Sequence, residues 1–159
     1  MDELDKIDIK LLKIIQENSQ VSNVDLAESV KLSTAGVHKR LKKLKDEGYL
    51  KQSVALLDRA RLGLDLLCFL KITFKQNLGT SNYPDLRQAV SSLPEVLECH
   101  AMTGTTDALL KVLVKDHQSL KDFLEKLAER QNCIASIETS IVLEEIKATT
   151  ALPLMSLKD

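Results

Sequence analysis

The chain contains no tryptophan, and among its 159 residues only two are tyrosine and three phenylalanine. Any core must therefore be aliphatic, and a hydrophobic content of 44% is enough to build one and excludes a disordered chain. Charge of one sign is also lacking. Twenty-two basic residues meet 23 acidic ones for a formal net charge of −1, so attraction to nucleic acid has to come from a local patch. The opening MDELDKIDIK is charged and unlike a secretory signal, and no run is long enough for a transmembrane helix; a cytoplasmic protein without membrane contact is expected. Cys68, Cys99 and Cys133 are odd in number, widely spaced and set in apolar surroundings, which reads as reduced, buried thiols and no disulfide framework. There is no glycine-rich phosphate loop of P-loop or Rossmann type. Cys99 and His100 are neighbours on a strand and point to opposite faces, while His38 and His117 belong to other elements, so no metal site is expected. No Ser, Cys or His nucleophile has a visible base partner. The expectation is a protein that is not an enzyme, with no catalytic residue and no cofactor.

What is present begins with Ser22–Lys45, SNVDLAESVKLSTAGVHKRLKKLK. Leu26, Ala27 and Val30 form one helical stripe, and Val37, Leu41 and Leu44 a second at spacing i, i+4, i+7. Ser22 and Ser33 stand at the N-cap positions, where a hydroxyl can accept from first-turn amides. Asp5 caps an earlier helix carrying Ile7, Leu11, Ile14 and Ile15, and Gly48 ends the third as its C′ residue. Between Lys31 and Lys51 seven basic residues face only Asp46 and Glu47. Two helices joined by a short turn, the second of them basic, describe a helix-turn-helix that sets its second helix in a DNA major groove.

Tyr49–Leu57 reads as a strand or wing leading out of this domain, and the charged stretch Asp58–Asp65 as its boundary. Leu66–Lys75 then alternates as a half-buried strand, with Leu70, Ile72 and Phe74 on one face. After the polar Gly79–Asn82, Pro84 opens a helix carrying Leu86, Ala89, Val90 and Leu93, and Pro94 ends it. Strands are expected at Val96–Met102, Asp107–Lys115 and Ile134–Glu144, with a helix capped by Asp116 and striped by Leu120, Phe123, Leu124 and Leu127. The order βαββαβ gives an α+β fold: an N-terminal helix-turn-helix over residues 1–50, a strand or linker over 51–65, and a ferredoxin-like sandwich over 66–159. Helices cover one sheet face. The other keeps Phe69, Leu109, Leu113 and Ile141 or Val142, too apolar for open solvent, and a dimer at least is expected.

The combination resembles the Lrp/AsnC, or feast/famine, family of transcriptional regulators. The likeness is carried by Leu4–Leu12, Ser22–Ser33, Val37–Leu50, Val54–Leu56, Glu98–Val112 (ECHAMTGTTDALLKV) and Val142–Lys147 (VLEEIK). It implies a homodimer built through the C-terminal domain and assembling to tetramers or octamers, with an amino acid effector between dimers near the loop joining the second and third strands. Two departures stand out. The recognition helix starts STAGV where many members have proline, and Ala108 stands where many have an aromatic.

Roles follow from position. Ser33 and Thr34 hold a phosphate at the helix start, His38 and Lys39 reach base edges, and Lys42, Lys43 and Arg40 neutralise phosphates. A border position gives Arg40 the alternative of a structural bridge to Asp46, Glu47 or Asp25. The stretch Thr103, Gly104, Thr105, Thr106, Asp107 reads either as a plain hairpin turn or as an effector loop, whose amides take a carboxylate while Asp107 takes an ammonium. The resemblance favours the effector role, extends it to Ala101, Met102, Thr139 and Ser140, and draws His117 and Ile141 towards the effector or assembly interface. The expected function is a sequence-specific regulator of a palindromic double-stranded DNA operator, nucleoid-associated and responsive to a free amino acid. The alternatives are a ligand-independent architectural DNA-binding protein of the same fold and, more remotely, a ferredoxin-like metabolic enzyme.

Overall fold

Three side-chain caps start the N-terminal helices. In the computed structural model, which describes residues 4–75, 83–130 and 133–154, Asp5 Oδ1 accepts from the Ile7 and Asp8 amides at 2.8 Å each. Asp8 Oδ2 in turn accepts from the Asp5 amide at 3.3 Å, closing a capping box at the start of α1, Lys6–Glu17. Ser22 Oγ takes the Asp25 amide and starts α2, Asn23–Val30; Ser33 Oγ takes the Gly36 amide and starts α3, Thr34–Asp46. At the far end of α3 the Gly48 amide bonds Lys45 O and the Tyr49 amide bonds Leu44 O, with Gly48 at φ 80°. This is the double bond of a Schellman motif, which glycine adopts without steric cost.

The three helices bury Leu11, Leu26, Ala27, Val30 and Val37 against one another, flanked by Ile7, Ile14, Ile15, Val21, Leu32 and Leu41. Leu11, Leu26 and Val37 are almost fully buried, and each contributes about 1.5–3 kcal/mol of transfer free energy. Tyr49–Leu57, expected as a strand or wing, enters no ladder. Val54, Leu56 and Leu57 stay exposed, since a strand needs a partner for its backbone groups and none lies beside them in the described chain.

The chain separates into two compact units, Met1–Leu56 with Lys147–Asp159, and Leu57–Ile146. Within the first, the described tail is held to α1 by reciprocal bonds: Gln16 Nε2 donates to Leu152 O at 3.0 Å and the Leu152 amide to Gln16 Oε1 at 2.9 Å.

The second unit is the expected βαββαβ sandwich. Its strands are β1 (Leu66–Phe74), β2 (Val96–Ala101), β3 (Ala108–Val114) and β4 (Ile134–Ile141), with helices α4 (Tyr83–Ser91) and α5 (His117–Arg130). All pairings are antiparallel in the order β2-β3-β1-β4, with Leu70 opposite Leu110 on one side and Thr139 on the other. Leu86 of α4 and Leu120, Phe123 and Leu127 of α5 pack on Cys68, Leu70, Ile72, Ala108, Leu110 and Val112. The expected polar turn Gly79–Asn82 lies outside the described residues. β4 is shorter than expected, for a physical reason. Running antiparallel to β1, it makes its last bond from the Val142 amide to Leu67 O, where its partner strand begins. Beyond that point Leu143 and Ile146 are fully exposed.

The sheet face away from the helices carries half-buried Phe69, Leu109 and Leu113, crossed by the pairs Lys71–Glu138 at 2.8 Å and Lys111–Glu98 at 3.1 Å. Of the thiols, Cys68 is buried and Cys133 half-buried, but Cys99 is exposed, contrary to expectation. It lies on edge strand β2, whose residues after Val96 are all exposed.

Candidate functional site

The geometry of α3 follows from its apolar stripe. With about 100° between successive residues, Val37, Leu41 and Leu44 turn inward and Lys39 and Lys42 fall roughly opposite, flanked by His38 and Lys43. The structure agrees: Val37 and Leu44 are buried, while Thr34, His38, Lys39, Lys42, Lys43 and Lys45 are exposed. Lys43 lies 3.7 Å from Glu47 one turn on, a solvent-exposed pair that a phosphate can displace at little cost. At the other end Ser33 satisfies the Gly36 amide, which leaves the Thr34 and Ala35 amides without an intrahelical acceptor. An anion fits such an end, where amides and helix dipole act together.

Arg40 stands apart from this set. Its Nη1 donates to Asp5 Oδ2 and Asp8 Oδ1, both at 2.7 Å, so the guanidinium turns towards α1 and away from the exposed face. The alternative of a structural bridge describes it, but the partners are not the expected Asp46, Glu47 or Asp25. They are the N-cap and third residue of α1, because packing brings the start of α1 against the middle of α3. Burial pushes the Asp5 carboxyl up, but the Asp8 amide and the Arg40 guanidinium together outweigh this and hold it below the ordinary carboxylate range.

The second candidate site is the β2–β3 loop. Ala101, Met102, Thr103, Gly104 and Thr105 are exposed, and Thr106 and Asp107 half-buried. Gly104 has φ 101°, a conformation that suits glycine. The Met102 amide bonds Asp107 O at 2.8 Å and closes the turn. Asp107 is tied into the sheet as well: its amide bonds Ile72 O, and its Oδ2 accepts the Phe74 amide at 2.7 Å, capping the end of β1. Tyr83 of α4 donates its hydroxyl to Asp107 O at 3.2 Å and meets Phe74 edge-on, with ring centroids 5.7 Å apart. Sequence reading missed Tyr83, because nothing local to it signals a partner 24 residues away. Ala108 is fully buried on the helix-covered side of the sheet.

Thr139 and Ser140 do not join this loop within one chain. They sit on β4 and Ala101 on β2, the opposite edges of the sheet, three strand spacings or about 14 Å apart. His117 lies exposed at the start of α5. Cys99 is paired with Leu110 and His100 with Leu109, on opposite faces; His100 bonds Glu98 at 3.1 Å. Among the described residues no three His, Cys, Asp or Glu side chains converge to hold a metal, and no helix is long and apolar enough to cross a membrane.

Comparison with known proteins places both surfaces in context. The Lrp/AsnC ligand-binding domain family matches residues 67–152, and a winged helix-turn-helix DNA-binding family matches residues 4–51. The chain is 38% identical to the DNA-binding transcriptional activator DecR of Escherichia coli (strain K12), over 95% of this chain and 99% of that one. It is 34% identical to the leucine-responsive regulatory protein of Haemophilus influenzae, over 95% of this chain and 90% of the other. Among solved structures, a transcriptional regulator from Neisseria meningitidis in complex with L-methionine superposes with a TM-score of 0.91 at 37% identity, covering 98% of this chain and 99% of that one.

Proposed function

We propose that this chain, which belongs to the Lrp/AsnC family of DNA-binding transcriptional regulators, couples its DNA binding to a free amino acid. The observation that carries the reading is the β2–β3 loop, whose exposed stretch from Thr103 to Thr105 turns through a left-handed Gly104 in a domain matched as ligand-binding. Amides there suit an amino acid's carboxylate, and Asp107 suits its ammonium. The L-methionine held by the Neisseria regulator makes methionine the first ligand to try.

Three further assignments follow. Ser33, Thr34, His38, Lys39, Lys42 and Lys43 form the DNA surface, the first two and the last two on phosphates and His38 and Lys39 on base edges. A homodimer forms through the open sheet face, where Phe69, Leu109, Leu113 and Val142 are left for a partner (Ile141, opposite Cys68, lies on the helix-covered side), and assembles to tetramers or octamers. Two copies related by a two-fold axis then suit a roughly palindromic operator with half-sites about 34 Å apart. Because Thr139 and Ser140 lie across the sheet from the loop, a second copy completes the effector site. The setting is the cytoplasm, in association with the nucleoid, and no catalytic step is assigned.

The test is a thermal-shift screen of the purified protein against the twenty amino acids, followed by DNA-binding isotherms with each ligand that responds. A native-state ligand at one hundred times its dissociation constant adds about 2.7 kcal/mol of stability. A rise in melting temperature with one or a few related amino acids, together with altered DNA affinity or assembly, supports the sensor. No rise with any of them moves the assignment to an architectural protein that binds DNA without a ligand.

A further inference from the structure

The polypeptide passes between its two compact units twice, after Leu56 and again before Lys147, so the sandwich is an insert in the helical unit and the tail returns to α1. Both sides of this insertion are fastened. On the sandwich side Arg59 donates from Nε and Nη2 to Glu145 Oε2, at 3.1 and 2.8 Å, and from Nη1 to the carbonyls of Leu64 and Asp65, at 3.3 and 3.2 Å. One guanidinium thus joins the chain entering β1 to the chain leaving β4, a short way past Thr139 and Ser140. On the helical side Gln16 holds both backbone groups of Leu152, whose side chain stays 67% exposed. Leu152 is gripped by its main chain and not through an apolar anchor.

Gln16 lies near one end of α1. The other end presents Asp5 and Asp8 to Arg40, at the middle of α3. The helix is therefore a bar, about 16 Å from Asp5 to Gln16 at the helical rise per residue, with the tail fastened at one end and the recognition helix at the other. We propose that the tail is a strap through which the sandwich unit biases α3: a ligand that shifts the end of β4 shifts the Arg59–Glu145 clamp, and the pull passes through residues 147–152 and α1 to Arg40. The inference deepens the amino-acid-responsive reading and rests on it for the trigger. The link itself is a chain of covalent bonds, side-chain bonds and one rigid helix, the kind of contiguous path that can carry coupling between distant sites.

Coupling between two binding sites is reciprocal, so DNA held by α3 must in turn alter the end of β4. The experiment reads that direction and needs no effector. Amide exchange of the full chain is followed with and without a mixed-sequence linear duplex in wild type, Gln16→Ala and Gln16→Glu. Alanine removes both bonds to Leu152 and favours the helix, while glutamate keeps the acceptor for the Leu152 amide. The duplex should change exchange over Ile137–Val142 several-fold in wild type, hardly at all in Gln16→Ala and to an intermediate degree in Gln16→Glu, with duplex affinity kept in all three. No change in wild type overturns the inference, and so does a change of equal size in Gln16→Ala. Loss of duplex binding in Gln16→Ala would show that the hook serves the fold of the DNA surface, which overturns it too. Absence of duplex binding in wild type overturns both this inference and the DNA-binding reading. L-methionine and the other nineteen amino acids are then tried on the same proteins. One that binds should bind Gln16→Ala as well but no longer alter its duplex affinity, and a retained effect overturns the strap. If none binds while the exchange coupling is present, the sensor reading falls and the strap stands.

Discussion

Removing Arg40 separates the two roles open to a basic residue on a recognition helix. In Arg40→Met the alkyl bulk is kept and the guanidinium lost. Two charge-assisted bonds disappear, each of a kind that contributes about 1.5–3 kcal/mol. They are not equal. Asp5 is half exposed (49% of its side chain), so its share shrinks to the fraction of a kcal/mol typical of exposed pairs. Asp8 is only 11% exposed, and losing Arg40 leaves a largely buried carboxylate with only the 3.3 Å bond from the Asp5 amide. The expected loss is about 2–3 kcal/mol, concentrated where α1 meets α3. Because the chain has two units, a local readout is preferable to a global one. Amide exchange of α1 should accelerate roughly thirtyfold to more than a hundredfold, with the sandwich strands unchanged. The salt slope for DNA should stay at the wild-type value. The pH dependence follows from the depressed Asp5 carboxyl. Its folded value lies below the unfolded one of about 3.9, so its contribution is present above that pH and lost as pH falls through the folded value. Without Arg40 the folded value moves up towards the unfolded one, so less stability remains to be lost on acidification. Unchanged α1 exchange together with a shallower salt slope would refute this reasoning and return Arg40 to the DNA surface.

Three other outcomes are expected. Asp107→Ala leaves the Phe74 amide without its acceptor and should cost about 1–3 kcal/mol in denaturant unfolding, whereas Asp107→Asn keeps an acceptor oxygen and should lose less; if the two lose equally, the cap is not the source. The same asparagine variant should still weaken the effector response, since it removes the charge offered to an ammonium; an undiminished response would remove Asp107 from the effector site. Lys42→Ala should flatten the salt slope for duplex DNA by about 0.9, and a slope that holds would take Lys42 off the phosphates. Gln16→Ala removes both bonds to Leu152 and should speed proteolysis within residues 147–154; equal cleavage rates would show that these bonds do not hold the tail.

The local features of this chain were legible in its sequence. Asp5, Ser22 and Ser33 cap helices through amides two or three residues away, and Gly48 ends α3 through carbonyls three to five residues back. The apolar stripes and the period-2 run of β1 depend on the same short range, so the helix-turn-helix and the order βαββαβ followed from spacing and capping chemistry. Tertiary structure decided where the polar side chains found their partners. Arg40 meets acids 32 and 35 residues away, and Asp107 caps a strand that ends 33 residues earlier. Thr139 and Ser140 are held away from the β2–β3 loop because β1 and β3 lie between β4 and β2. Backbone periodicity reaches about one turn of helix or one pair along a strand. An ion pair depends on which surfaces meet, and that is settled only when the helices pack and the strands take their order.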